Sequence, residues 1–165
     1  MKLAIKSLFQ TYLNQLETIV EKIPSELFSK ALSEDMFSLE MNAKIAANFL
    51  LRGYYPLLGQ EPVSLMNEES GKTAVIEQIQ KIRSLLMTLE DVTDLDDRQI
   101  LTEKAGFANI QLPAPQFIHQ YIVPNVLFHM SMVYAVARRE GVALSKGDFD
   151  GLHAYPEGFS FNTSP

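Results

Sequence analysis

Four separate stretches of this chain repeat apolar residues at every third or fourth position, a period that belongs to helices packed on one face. The first stripe runs through Ile5, Phe9, Tyr12, Leu16, Ile19 and Ile23, and Pro24 ends it. Ser25 is placed to cap a short second piece, SELFSKAL, with Glu26 in its first turn. Ser33 to Asp35 read as the cap region of a second long helix. There Leu39, Asn42, Ala46 and Phe49 share a face, and Gly53 and Pro56 mark the end. A third helix over about residues 73–90 keeps Val75, Ile79, Ile82, Leu86 and Leu89 at near-heptad spacing, with Glu77 and Lys81 as an outer i,i+4 pair. The fourth begins near Pro115 and closes at Gly141. Arg138 and Arg139 lie in its final turn, where cations complement the helix dipole.

The connections are uneven. Residues 59–71 are rich in turn formers and acids and read as a surface connection. Residues 91–116 open with the acidic turn DVTDLDDRQ and continue as QILTEK and ANIQL around Ala105 and Gly106. A small β-hairpin or an irregular loop fits that pattern, and the hairpin is the preferred reading. The expected architecture is an all-α four-helix bundle in one domain, 1–165. It carries a short hairpin or loop insertion between helices 3 and 4, and residues 142–165 form an extended tail packed on the bundle.

Composition narrows the function classes. A chain of 165 residues suits one domain with a substantial core. The absence of cysteine excludes disulfides, thiolate zinc sites and cysteine nucleophiles, and fits a cytoplasmic protein. With 20 acidic against 14 basic residues and no Lys/Arg cluster beyond Arg138 and Arg139, neither nucleic acid nor an anionic membrane is an expected partner. Lys2 and Lys6 stand beside apolar residues, but Gln10 and Asn14 interrupt the stretch, so no secretory signal is expected. No apolar run approaches the ~18 residues a membrane span needs. Phosphate-loop, dinucleotide, HExxH and nucleophile-elbow motifs are all missing. Asp91, Asp94, Asp96 and Asp97 are dense but lack the glycine turn and terminal glutamate of an EF-hand loop, and read as a solvated turn.

Of the three histidines, His129 is the anomaly. His153 falls in the tail. His119 lies roughly 80° from His129 around the fourth helix at about 100° per residue, so the two make no close chelate. His129 shares its stripe with Ile118, Ile122, Val126, Met132, Val133 and Val136, and its one polar companion there is Asn125. Three readings compete: a buried network of Asn42, Asn125 and His129 with a water or the Tyr134 hydroxyl, a small-molecule or metal pocket, or a surface-facing ring. Pro124, just before His129, removes a backbone hydrogen bond and is a candidate kink.

The run YIVPNVLFHMSMVYAVARREGVALSKGDFDG resembles the signature end of a family of small proteins of uncharacterised function. Its pattern is Leu-Pro-Asn, Phe-His, two hydroxyl residues, Ala-Tyr, a basic residue, Asn-Gly-Val, then Gly-Lys-x-Asp-(Phe/Tyr)-x-Gly. Pro124, Asn125, Phe128, His129, Ser131 and Tyr134 match it, as do Arg138, Gly141, Val142, Lys146, Asp148, Phe149 and Gly151. DMFSLEMNAKIAANF and LLGQEP are similar to the family's second-helix opening and the turn after it. The family is placed in the DinB-like (YfiT-like) superfamily.

That resemblance implies an up-down-down-up bundle, a homodimer and, in many members, a three-histidine metal site, some of them serving thiol S-transferases. Here the second helix has no histidine, the fourth has one inward histidine, and Arg139 and Glu140 stand where relatives often place another. One imidazole with amide oxygens is a poor site for zinc or nickel, so no metal and no cofactor are expected. Lys146 and Asp148 are read as pairing with helix ends to pin the tail. The resulting expectation is a metal-free bundle with a binding or stress-associated role and a small-molecule ligand. The alternative is a small-thiol transferase with His129 as base or single metal ligand. A purely structural role through helix-face dimerisation ranks third. The sequence does not decide whether the chain is an enzyme.

Overall fold

The computed structural model describes residues 4–162; Lys2 and the last three residues of the tail, 163–165, lie outside the described residues. Helix α1 spans Ile5–Lys22 and buries the predicted stripe, with Phe9, Leu16, Ile19 and Val20 fully enclosed. Each such side chain contributes roughly 1.5–3 kcal/mol of apolar burial. After Pro24 the chain makes only a 3₁₀ turn, Ser25–Leu27, in which Ser25 offers no side-chain cap; this corrects the longer helical piece expected there.

Helix α2 spans Leu39–Leu57, and its cap is Ser38 rather than Ser33 to Asp35. The Ser38 hydroxyl accepts from Met41 N at 3.2 Å. Residues 33–37 instead form a bent loop ahead of the helix. α2 is buried on nearly every side, as a central helix requires, and packs against α1, α3 (Lys72–Thr88), and α5 (Val123–Arg139). Glycine is required at position 53, where a Cβ would sit 2.6 Å from Ile122 Cγ2. The connection over 59–71 is more firmly held than its composition suggests. Asn48 Oδ1 accepts from Leu65 N, and the Lys44 ammonium, 3% exposed, meets Glu40 at 3.1 Å as well as the Asn67 and Glu69 carbonyls. A charge so deeply buried persists because it is paired. Glu77 and Lys81 are both exposed, and no ion pair joins them among the described residues.

Strands β1 (Ile100–Ala105) and β2 (Ala108–Pro113) form the antiparallel hairpin, in register from Ile100↔Pro113 to Ala105↔Ala108. Gly106, at φ 60°, takes the first position of the two-residue turn, where a side chain would be strained. The chain is therefore mostly helical rather than all-α. The hairpin docks on the end of α2: Gln99 Nε2 donates to the Leu57 carbonyl and to the Pro56 carbonyl, which also accepts from Gly59 N. Arg52 reaches Glu103 and the Tyr121 hydroxyl.

The fourth long helical run begins with a single turn, α4 (Ala114–Gln116), passes through a π-helical stretch at Phe117–Ile122, and continues as α5. Pro124, lacking an N–H, stands two residues beyond the end of that stretch, so the disturbance expected before His129 takes the form of a π turn. The extra residue offsets the helical phase, and the 100° reckoning between His119 and His129 does not carry across it. His119 is exposed, and Met130 rather than Met132 is the buried methionine. Gly141 has φ 87°, in keeping with a C′ glycine. Beyond it, the short helix α6 (Lys146–Asp150) packs on α1. Asp148 caps α6 through Ser145 and meets Lys22, the last residue of α1, at 2.5 Å, which pins the tail. Burial alone would raise the Asp148 carboxyl, but its hydrogen bonds with Lys22 and Ser145 hold it below the ordinary range. Lys146 makes no such pair among the described residues.

Candidate functional site

The first turn of α2 and the middle of α5 bring two polar side chains together inside the core. Asn42 is 3% exposed and His129 8%, and Asn42 Oδ1 lies 2.8 Å from His129 Nδ1. The amide orientation is dictated by its other end. Asn42 Nδ2 donates to the Phe37 carbonyl at 3.0 Å and the Ser38 carbonyl at 2.9 Å, and neither of those oxygens can donate back. Oδ1 is thus the atom facing the ring, and because it only accepts, His129 Nδ1 carries the proton. Burial pushes the imidazole below the ordinary histidine value, so at neutral pH the ring is uncharged and Nε2 keeps a bare lone pair.

The ring is also fixed in place. Phe49 stacks on it at 6.0 Å with a 25° interplanar angle, and Phe128 meets it edge-on at 5.1 Å. Arg52 covers the Phe49 ring at 4.4 Å, linking this wall to the hairpin. Nε2 has no partner among the described residues, nor is it one of the sealed unpartnered atoms, which are Asn67 Oδ1, Gln78 Oε1, Arg83 Nε and Gln116 Oε1. It opens onto a cavity of about 420 Å³.

The far wall of that cavity is the 33–37 loop, which contributes Glu34, Asp35, Met36 and Phe37; Phe128 closes the near side. The loop is anchored at both roots. Arg139 donates to the Ala31 and Leu32 carbonyls at 2.8 and 2.7 Å, and Asn42 holds the Phe37 and Ser38 carbonyls. Between the roots, the Ser33 hydroxyl donates to Asp35 at 2.7 Å, which holds that carboxyl below its ordinary value.

Of the four residues singled out from sequence, the structure brings Asn42 and His129 together and leaves the other two apart. Asn125 turns its amide back on the Tyr121 carbonyl at 2.7 Å, one turn earlier in the helix. Tyr134 donates to the Leu144 carbonyl at 3.3 Å and packs edge-on against Phe149, so it serves the tail. Sequence periodicity missed the loop wall, since a residue in a bend carries no periodic signal. Asp35 was read as part of a helix cap, and Met36, Phe37 and Phe128 were visible only within the motif stretches.

The residues present do not fit a three-histidine metal centre. His129 Nδ1 is committed to Asn42, a single imidazole nitrogen remains, and no three His, Asp or Glu converge among the described residues. Nor is any helix there long and apolar enough to cross a membrane.

The fold is that of the DinB-like class. The crystal structure of a DinB family member protein from Shewanella denitrificans is similar with a TM-score of 0.76 at 20% identity, covering 92% of this chain and 92% of that one. At that identity the likeness speaks for the fold alone. Residues 4–150 match the family described as a domain of unknown function, DUF1993, and the chain belongs to that family. No curated protein matches it.

Proposed function

We propose that this protein binds a small organic molecule in the His129 cavity, as a metal-free DinB-like bundle with a binding or stress-associated role. One observation carries the reading: a neutral imidazole, fixed by Asn42 through Nδ1, turns an unpartnered Nε2 toward a cavity with aromatic walls. A purely structural histidine needs no open nitrogen. The test is nitrogen-edited NMR of the histidine rings during titration with a fragment library. Binders are expected to shift His129 while leaving exposed His119 and His153 unmoved; a library with no effect on His129 refutes the proposal.

The same lone pair favours a second reading, a small-thiol transferase with His129 as general base, because a neutral, oriented imidazole is suited to accept a proton. Among the described residues that line the cavity there is no hydroxyl, thiol or amine nucleophile, so this reading ranks below binding. Thiol consumption in the presence of an electrophile that disappears in His129→Gln would reverse the order. The wider frame belongs to the same proposal: one domain over 1–165, the up-down-down-up order of the superfamily, a homodimer and a cytoplasmic setting. A light-scattering mass near twice 18.6 kDa is the expected result for the dimer.

A further inference from the structure

The cavity is unusual in what it withholds. Its lining offers acceptors, namely His129 Nε2 and the Glu34 and Asp35 carboxylates, and no lysine, arginine or hydroxyl side chain. The one amide there, Asn42, has both its donor contacts spent on the Phe37 and Ser38 carbonyls. Arg139, which anchors the loop, is engaged by two backbone carbonyls and the Glu140 carboxylate. An anion entering would meet three acceptors and no side-chain donor. A ligand that satisfies this wall must bring the donors itself, and a positive charge suits both the carboxylates and the faces of Phe37 and Phe128. The acidic pair on an exposed loop would not define a site alone. His129 makes it one, being more than nine-tenths buried with its free nitrogen at the same opening.

Resting on the binding reading above, we infer that the cavity selects a small protonated amine with an apolar body. The ammonium donates to His129 Nε2, the Glu34 and Asp35 carboxylates attract its charge from the loop that lines the same cavity, and the hydrocarbon lies on Met36, Phe37 and Phe128. The N–H donors matter as much as the charge, because Nε2 is a lone pair waiting for a proton donor. The ligand is bound and not transformed, and no proton needs to leave the ammonium.

Three probes of one shape separate the claims: phenethylamine, 2-phenylethanol and 3-phenylpropionate, titrated at pH 7.5 into the full chain by calorimetry and by NMR of the His129 ring. Phenethylamine is expected to bind and shift His129. The carboxylate should bind at least roughly tenfold more weakly, given charge-assisted contacts in one case and repulsion in the other. The double variant Glu34→Gln, Asp35→Asn, on an exposed loop that leaves the core intact, should weaken the amine roughly three- to fivefold while sparing the alcohol. If the alcohol or the carboxylate moves His129 as strongly as the amine, or if the double variant weakens all three alike, the amine assignment is wrong and the binding reading survives. If none of the three moves His129, the amine assignment is refuted, while the fragment library judges the broader reading separately.

Discussion

Asn42→Ala is the sharpest perturbation of the site. It removes the acceptor for His129 Nδ1–H and the two donors that hold the Phe37 and Ser38 carbonyls. The carbonyl losses are small: Ser38 O keeps the backbone N–H of residue 42, and Phe37 lies at an exposed position where water can reach it. The imidazole is different, because Nδ1 sits in the core between Phe49 and α2, and an unsatisfied buried donor costs about 1–3 kcal/mol. The ring has one escape, moving its proton to Nε2 at the cavity, which exchanges a stranded donor for a less costly stranded acceptor. We therefore expect a loss of about 2 kcal/mol, or about 4–8 °C in Tm for a chain of this size, together with a switch of tautomer. Urea denaturation gives the first quantity and nitrogen-edited NMR of the His129 ring the second. A variant that keeps wild-type stability with Nε2 still bare would refute the account of the Asn42–His129 pair.

Because burial depresses the His129 value in the folded state, the unfolded chain binds the extra proton first. Stability should be complete above the unfolded histidine value of about 6.5 and fall as pH drops through it toward the folded value. His129→Gln should flatten that part of a pH series of urea midpoints, and an unchanged slope would argue against a neutral ring. Gly53→Ala forces a methyl against Ile122 and should cost about 1–3 kcal/mol, with Ile122→Ala recovering part of the loss in the double variant by thermal denaturation. Asp148→Ala removes both the α6 cap and the Lys22 contact. It should leave the bundle's Tm nearly unchanged while speeding proteolysis within residues 143–162.

Periodicity carried most of the fold. The stripes ending at Pro24 and Gly141 and the hairpin around Gly106 lie where their residue patterns put them, because each depends on side chains close in sequence. Ser38 was overlooked as the α2 cap because Ser33 and Asp35 present the same chemistry five and three residues earlier. Only tertiary pairing, Leu39 N to Lys30 O and Glu40 N to Phe28 O, decides where the helix can begin. The π turn has no compositional signature beyond Pro124. Asn125 was linked to His129 because four residues make one turn, yet a side chain that can reach its own i−4 carbonyl need not reach its neighbour. Asn42 was legible as a polar residue on an inner face. Its function as the group that assigns the histidine proton depends on two backbone carbonyls in a bend that no single-helix pattern describes.

The two anchors of the 33–37 loop set a limit on how the cavity can breathe. Arg139 and His129 ride on the same helix, ten residues or about 15 Å apart, so the floor and one hinge post move as a unit. Asn42 ties the other post to that floor. The short span between them, bearing Glu34, Asp35 and Met36, is closed on itself by the Ser33 bonds to the Asp35 carboxylate and Met36 N, and is too short to swing wide without breaking an anchor. Such an opening adjusts rather than gapes, so little loop ordering is needed on capture, and discrimination among ligands should rest on shape and on donor count more than on induced closure.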